Sequence, residues 1–473
     1  MPSTMVAADL QVPGPGLAGR TIMGARAPSG VSRPLRILVT LLVIVAAIAA
    51  AGAALAWRPQ AARVENATAT RFDPALVARG ANLAAIGNCR GCHTTGIGPP
   101  LGGGVALHSP FGIIYSTNIS PDLETGIGRW SEDAFRRAMR EGVARDGTHL
   151  YPAFPYERFT RVTDDDLKAL YAWAMTQPPV RFAPPPNELH FPFNIRAGIA
   201  LWKLAFFHEG PVAATDRGDY LVDSLGHCGS CHSPRNFAYA EDTRHELAGG
   251  DAEGWHAYAI QADNRAVTPW NDKDLAFYLR NGFHPAHGIS RGTMGLVTTE
   301  LAEAAPADVE AMARAIVKRM APGAAAKQAW ATTVKQNPLA PKGKLEPGEP
   351  EAIYQSTCAS CHDGRRPLPY GGLPLAQSTG LSGESPRNLI NVILHGLDPA
   401  GNGTTTPVMP AYGGALSDAQ VEALVTWMRA NLTDQPPWQA VGRLVAESRK
   451  MEPSMLRFPP GGSGTDPLDT GSP

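Results

Sequence analysis

A chain of 473 residues is too long for one small domain and suggests two to four, with 44% apolar residues to fill their cores. Only 18% of residues are charged and the net charge is −1, with no basic block and no acidic tail, so nothing favours a nucleic-acid partner. The 49 glycines and 43 prolines cluster between helical stretches, which implies a loop-rich protein with linkers.

Residues 1–36 read as a disordered cytoplasmic leader rich in Pro, Gly, Ser and Ala. The next stretch, RPLRILVTLLVIVAAIAAAGAALAWRP, carries no charge from Ile37 to Trp57. At about 1.5 Å per residue it is long enough for the roughly 30 Å hydrocarbon core. Arg20, Arg26, Arg33 and Arg36 precede it, so the leader should stay in the cytoplasm and everything after Trp57 should be exported. The competing reading is a cleaved signal, since ALA at 54–56 resembles a processing site. The expected location is the inner (cytoplasmic) membrane, with the bulk of the chain facing the periplasm.

All six cysteines fall in Cys-x-x-Cys-His pentapeptides: CRGCH (Cys89, Cys92), CGSCH (Cys228, Cys231) and CASCH (Cys358, Cys361). This is the attachment signal of c-type heme, in which two thiols bond the macrocycle and the adjacent His93, His232 or His362 ligates iron. Disulfides suit an oxidising compartment but would not need a His after each second Cys. Zinc would want its further ligands at short, regular spacing. The expectation is three covalently bound heme c groups.

The motifs divide the chain into three repeats, each with a helix into the motif, a long loop and a closing amphipathic helix. The boundaries read as 71–178, 211–320 and 345–434, with linkers at 179–210 and 321–344 and a C-terminal tail at 435–473. The first repeat opens on DPALVARGANLAAIGN, with Asp73 as N-cap and Pro74 at the first helical position. It closes on TDDDLKALYAWAMT, where Thr163 caps and Leu167, Leu170, Tyr171 and Ala174 share a face. The second runs from DRGDYLVDSLGHC to PADVEAMARAIVKRM, the third from GEPEAIYQSTCASC to SDAQVEALVTWMRANL, capped by Ser417. The fold class is therefore all-α: three tandem cytochrome c-like domains after an N-terminal transmembrane helix.

A thioether as second axial ligand raises a heme's potential relative to a second imidazole. Met409, in TTTPVMPAYGG, and Met294, in HGISRGTMGLV, each precede a closing helix and are the distal candidates, with His284 and His287 as rivals to Met294. In the first repeat the equivalent position, by distance from the motif, holds Phe154. His149 in the same loop is the tentative distal ligand there, with Met139 or an open iron as alternatives. Ligation by His149 would make the first heme the low-potential member.

With these residues in place the chain resembles the triheme cytochrome c subunits of bacterial membrane-bound dehydrogenases acting on alcohols, gluconate, sorbitol and aldehydes. The resemblance covers about residues 72–445 and is carried by SPFGIIYSTNISPDLETGIGRWSEDAFRRAMREG, HLYPAFPY, LGHCGSCHSPRN and PLPYGGLPLAQST. Members of that family usually carry Met where Phe154 stands. Phe preceded by His149 is more like subunits that accompany molybdenum hydroxylases of the isoquinoline or nicotinate dehydrogenase type. The resemblance implies an electron-transfer subunit without substrate chemistry of its own. Its partner would be a dehydrogenase catalytic subunit (a molybdenum hydroxylase, quinoprotein or flavoprotein), its acceptor ubiquinone or a terminal oxidase. LGGGV is too short to cradle phosphate, and no nucleophile elbow or dinucleotide fingerprint occurs. The alternative is a peroxidase-like heme enzyme using an open distal site on the first heme.

Overall fold

The structure, a computed structural model, describes residues 32–96, 98–210, 216–320, 346–363, 372–397 and 409–451. The leader up to 31, the 321–344 linker and the tail from 452 lie outside the described residues. Residues up to Ala54 and residues from Leu55 onward form two units.

The first unit holds most of helix α1, Arg33–Ala56. Its Arg33–Ala54 stretch is long and apolar enough, by length and composition, to cross a membrane.

The second unit begins its helices where the sequence supplies caps. Asp73 accepts from the Ala75 amide to start α2, Pro74–Ile86, with Pro74 in its first turn. The motif helix α3, Cys89–His93, follows directly. Ser131 caps α4, Glu132–Glu141, and Thr163 caps α6, Asp164–Met175; α5, Tyr156–Phe159, lies between them. Gly142 ends α4 at φ +60°, and a Cβ there would also strike the Tyr156 ring.

The second motif repeats the plan with α8, Arg217–Asp223, α9, Gly229–His232, α10, Asp272–Asn281, α11, Thr293–Glu303, and α12, Pro306–Met320. In each case the opening helix crosses the closing one, α2 on α6 and α8 on α12. Both crossings depend on a glycine that the sequence reading did not single out. A Cβ on Gly80 would lie 2.0 Å from the Ala169 carbonyl oxygen, and one on Gly218 would lie 2.1 Å from that of Ala311. Around the third motif, helix Asp418–Leu432 starts with a full capping box, Ser417 and Gln420 each serving the other's backbone amide.

Two apolar cores result. One runs through both the first and second motif regions, from Leu83 and Leu170 to Leu221 and Val309; the other, around Ile390, Val421 and Val425, serves the third.

Short strands accompany the helices. Among the described residues there are seven short strands: a three-stranded antiparallel sheet and two hairpins. Strand β1, Ala106–Ser109, pairs with β2, Gly112–Tyr115, and β2 with β3, Glu188–Leu189. Strands β4, Gly250–Ala252, and β5, Trp255–Ala257, make one hairpin; β6, Phe283–His284, and β7, Gly288–Ile289, make the other. The loops between motif and closing helix double back on themselves, and strand pairing is how they satisfy their backbone amides.

Two assigned connections also carry structure. Residues 179–210, read as a linker, contribute β3 and helix α7, Gly198–Phe206. Inside the assigned tail, helix Val441–Arg449 packs on helices Arg387–His395 and Asp418–Leu432, burying Val441, Leu444 and Val445.

Candidate functional site

Each Cys-x-x-Cys-His pentapeptide forms about one helical turn, so its two cysteines, three residues apart, lie on the same side. The residue before the first Cys is left-handed at the first two motifs, Asn88 at φ +52° and His227 at φ +39°. Both types enter that region more readily than most. No disulfide joins the six cysteines. Burial pushes the thiols of Cys89, Cys92 and Cys228 up to about 12 and those of Cys231 and Cys358 to about 11, so they remain neutral.

The three motif histidines share one arrangement. Nδ1 of His93 donates to the Thr117 carbonyl at 2.6 Å, that of His232 to Tyr258 at 2.6 Å and that of His362 to Leu373 at 2.8 Å. A proton fixed on Nδ1 leaves Nε2 as the ring's remaining lone pair, the tautomer an iron ligand requires. Burial lowers all three pKa values and favours the neutral ring. A second contact recurs as well: the Gly103, Gly249 and Gly372 amides donate to the carbonyls of His93, His232 and Cys361 at 2.7–2.9 Å. Paired half-buried thiols beside an oriented neutral imidazole fit covalently attached heme c.

A cavity of about 440 Å³ joins the second and third motifs. Cys228, Cys231, His232 and Met294 line it together with Cys358, Cys361, His362 and Met409. Met294 lies in the first turn of α11, which also packs on α2 and α3 of the first motif region. Met409 is tied to Leu397 by reciprocal backbone hydrogen bonds of 2.8 and 3.1 Å. The rivals His284 and His287 line the same cavity from the β6–β7 hairpin. The His287 ring stacks on Trp270 at 3.4 Å, and Nδ1 of His284 accepts from the Ala286 amide at 3.2 Å.

His149, the tentative distal candidate of the first repeat, is buried. Its Nε2 lies 3.1 Å from the Ala56 carbonyl and its Nδ1 3.1 Å from Nζ of Lys203, so both ring nitrogens are engaged inside the protein. Burial and the Lys203 charge lower its pKa to about 4. Met139 is buried in the first core, and Phe154 packs edge-on to Phe159 at 5.3 Å.

The residues that join the motif regions were not foreseen, because each depends on a partner far along the chain. Arg158, from α5, is 2% exposed and forms ion pairs with Glu241 and Glu246, just beyond the second motif. Its Nη2 lies 2.0 Å from where a Cβ on Gly229, inside that motif, would sit. Buried Asp166 accepts from Arg79 at 2.8 Å and from the Tyr220 hydroxyl at 2.7 Å. Between the second and third motifs, His256 contacts Asp251 through Nδ1 at 2.9 Å and Glu384 through Nε2 at 2.8 Å. Asn388 exchanges two 2.8 Å hydrogen bonds with the His256 backbone.

Residues 346–428, around the third motif, match the family of cbb3-type cytochrome c oxidase subunit III. The chain is 40% identical over 415 residues to a nicotinate dehydrogenase subunit of Pseudomonas putida, an alignment covering 85% of this chain and 34% of that one. It thus spans about a third of that relative's length. It is 36% identical to the gluconate 2-dehydrogenase cytochrome c subunit of Pantoea cypripedii, covering 80% of this chain and 90% of that one. It is also 36% identical to the fructose dehydrogenase cytochrome subunit of Gluconobacter japonicus, covering 76% and 78%.

Proposed function

The chain belongs to the cytochrome c subunits of dehydrogenase complexes, electron-transfer components rather than catalytic enzymes, and on that premise we propose that it carries three heme c groups in series. The repeats at 71–178, 211–320 and 345–434 would each hold one. The observation that carries this is the hydrogen bond from motif-histidine Nδ1 to a backbone carbonyl, made in the same way at all three motifs.

When bound, heme c supplies a reversible one-electron couple. The chain's own residues do the rest. Cys89 and Cys92, Cys228 and Cys231, and Cys358 and Cys361 would fasten the macrocycles; His93, His232 and His362 would hold iron; Met294 and Met409, which line the shared cavity, would offer thioethers. Helix α11, which carries Met294, packs on α2 and α3 of the first motif region, and the shared cavity links His232 to His362. Both relations favour a linear order, with the second motif in the middle.

The donor would be a dehydrogenase catalytic subunit. Phe154 and the likeness to a nicotinate dehydrogenase subunit favour one of the molybdenum hydroxylase kind over a quinoprotein or flavoprotein. Ubiquinone or a terminal oxidase would accept the electrons. Helix α1 would anchor the chain in the inner membrane, with the motif regions in the periplasm.

Mass spectrometry of protein matured in a heme-attaching periplasm tests the reading. Three added macrocycles per chain are expected; fewer, or a reactive thiol at any of the six positions, would refute it.

A further inference from the structure

Helix α7, GIALWKLAF, is inside out for a helix facing water. Its one charged residue, Lys203, is buried, while Leu201 and Leu204 are 57% and 67% exposed. Lys203 is held inward: Nζ donates to the carbonyls of Glu141 and Gly142 at 2.5 and 2.8 Å and meets Nδ1 of His149 at 3.1 Å.

A single exposed leucine requires no explanation, but this helix has neighbours of the same kind. The strap leading into it exposes Phe191 at 78%, and Phe193 and Ile195 at about half. Across from it Phe237 is 97% exposed. Ring contacts join two of these to neighbouring rings: Phe193 to Phe111 at 4.3 Å and Phe111 to Tyr239 at 5.5 Å, and Trp202 to Phe206 at 5.7 Å and Phe206 to Phe237 at 6.1 Å. Nε1 of Trp202 donates to the Ala238 carbonyl at 3.0 Å and fastens the helix to that turn. Exposed apolar residues gathered on one strap, helix and turn mark an interaction surface.

The chain path indicates what covers it. His149, which engages Lys203 of α7, also engages the carbonyl of Ala56, the last residue of α1. The apolar face is therefore tied to the point where the apolar helix ends. We propose that the face formed by strap 190–207 and turn 237–239 lies in the headgroup–acyl boundary of the bilayer, a membrane contact additional to α1. Aromatic rings with polar edges favour that zone, and a short helix lying in it needs apolar residues outward. The proposal rests on reading α1 as the membrane anchor.

The test uses full-length, heme-loaded protein in nanodiscs of phosphatidylethanolamine and phosphatidylglycerol. Spin labels are attached at Leu204→Cys, Phe237→Cys, Val43→Cys in α1 and Glu310→Cys on an exposed helix face, with the heme spectrum checked for each. The expected result is a several-fold preference for collision with oxygen over a water-soluble nickel chelate at positions 204, 237 and 43, relative to 310. Aqueous labels at 204 and 237 with a lipid-exposed label at 43 would overturn the face and leave the anchor standing. An aqueous label at 43 would overturn the anchor instead. Labels at 204 and 237 that lose access to both reagents only when the dehydrogenase subunit is added would make the face a protein-docking surface and overturn the proposal.

Discussion

Arg158→Met removes a charge while keeping most of the stem that packs between the first and second motif regions. Glu241, with 6% of its side chain exposed, then loses its principal counter-ion, and Glu246, at 39%, loses the same partner. Breaking a buried pair by removing one member costs about 3–5 kcal/mol, because the remaining charge is stranded. The lower end applies here, since Ser230 still donates to Glu241 at 3.0 Å and Arg235 still attracts it.

The pH dependence gives a sharper signature. In the native protein burial pushes the Glu241 carboxyl up, but Arg158 outweighs it and holds the group below its usual range. Its contribution is thus present above the unfolded carboxylate pKa, about 4.3, and is lost as pH falls through the depressed value. Without Arg158 the burial effect dominates, the pKa rises, and acid relieves the stranded charge by protonating it. The difference in denaturant midpoint between native protein and variant should therefore be larger at pH 8 than at pH 5. Adding Glu241→Gln to the variant should recover most of the loss, as a double-mutant cycle on heme-loaded protein would read. A loss under about 0.5 kcal/mol, typical of an ordinary surface change, or a double variant no better than the single, would refute the account.

The His256 clamp should behave in the opposite sense. Burial opposes the charged ring, but hydrogen bonds to Asp251 and Glu384 outweigh it and raise the pKa to about 9. A raised folded pKa means full stabilisation below the unfolded value of about 6.5, lost as pH climbs through 9, and worth at most about 3 kcal/mol. Hydrogen exchange at β4–β5 and helix Arg387–His395 should accelerate above pH 9 beyond the intrinsic base-catalysed rise, and His256→Gln should abolish that excess. Met409→His or Met294→His should lower one midpoint potential by on the order of 0.1–0.3 V in a redox titration, a fraction of the roughly 0.8 V that axial ligands span; an unchanged titration would remove that methionine from the ligand set. His149→Gln should leave the low-spin heme spectrum intact while costing about 1–2 kcal/mol through the hydrogen bonds it disturbs. A new high-spin band in that variant would restore His149 as an iron ligand.

The same contrast separates local from remote information across the molecule. Asp73, Thr163 and Ser417 were legible as helix starts because a cap is settled within three residues of chain. Gly80 and Gly218 were not, because a glycine in a helix signals nothing until the crossing helix brings a carbonyl against it. His149 looked like a ligand in its own loop, and only the fold revealed that Lys203 and Ala56 engage it. Strap 179–210 read as a linker because its prolines suppress periodicity, while its order comes from pairing with β2 and from buried Lys203.

By itself the sequence determined the covalent chemistry, since two thiols and an imidazole within five residues need no distant partner to be recognised. It also determined where the helices begin and which long segment is apolar. Tertiary structure alone decided which carbonyl orients each motif histidine, which charges lock the motif regions together, and that the second and third motifs open into one cavity. Those are distances between residues far apart in the chain, and a local pattern carries no record of them.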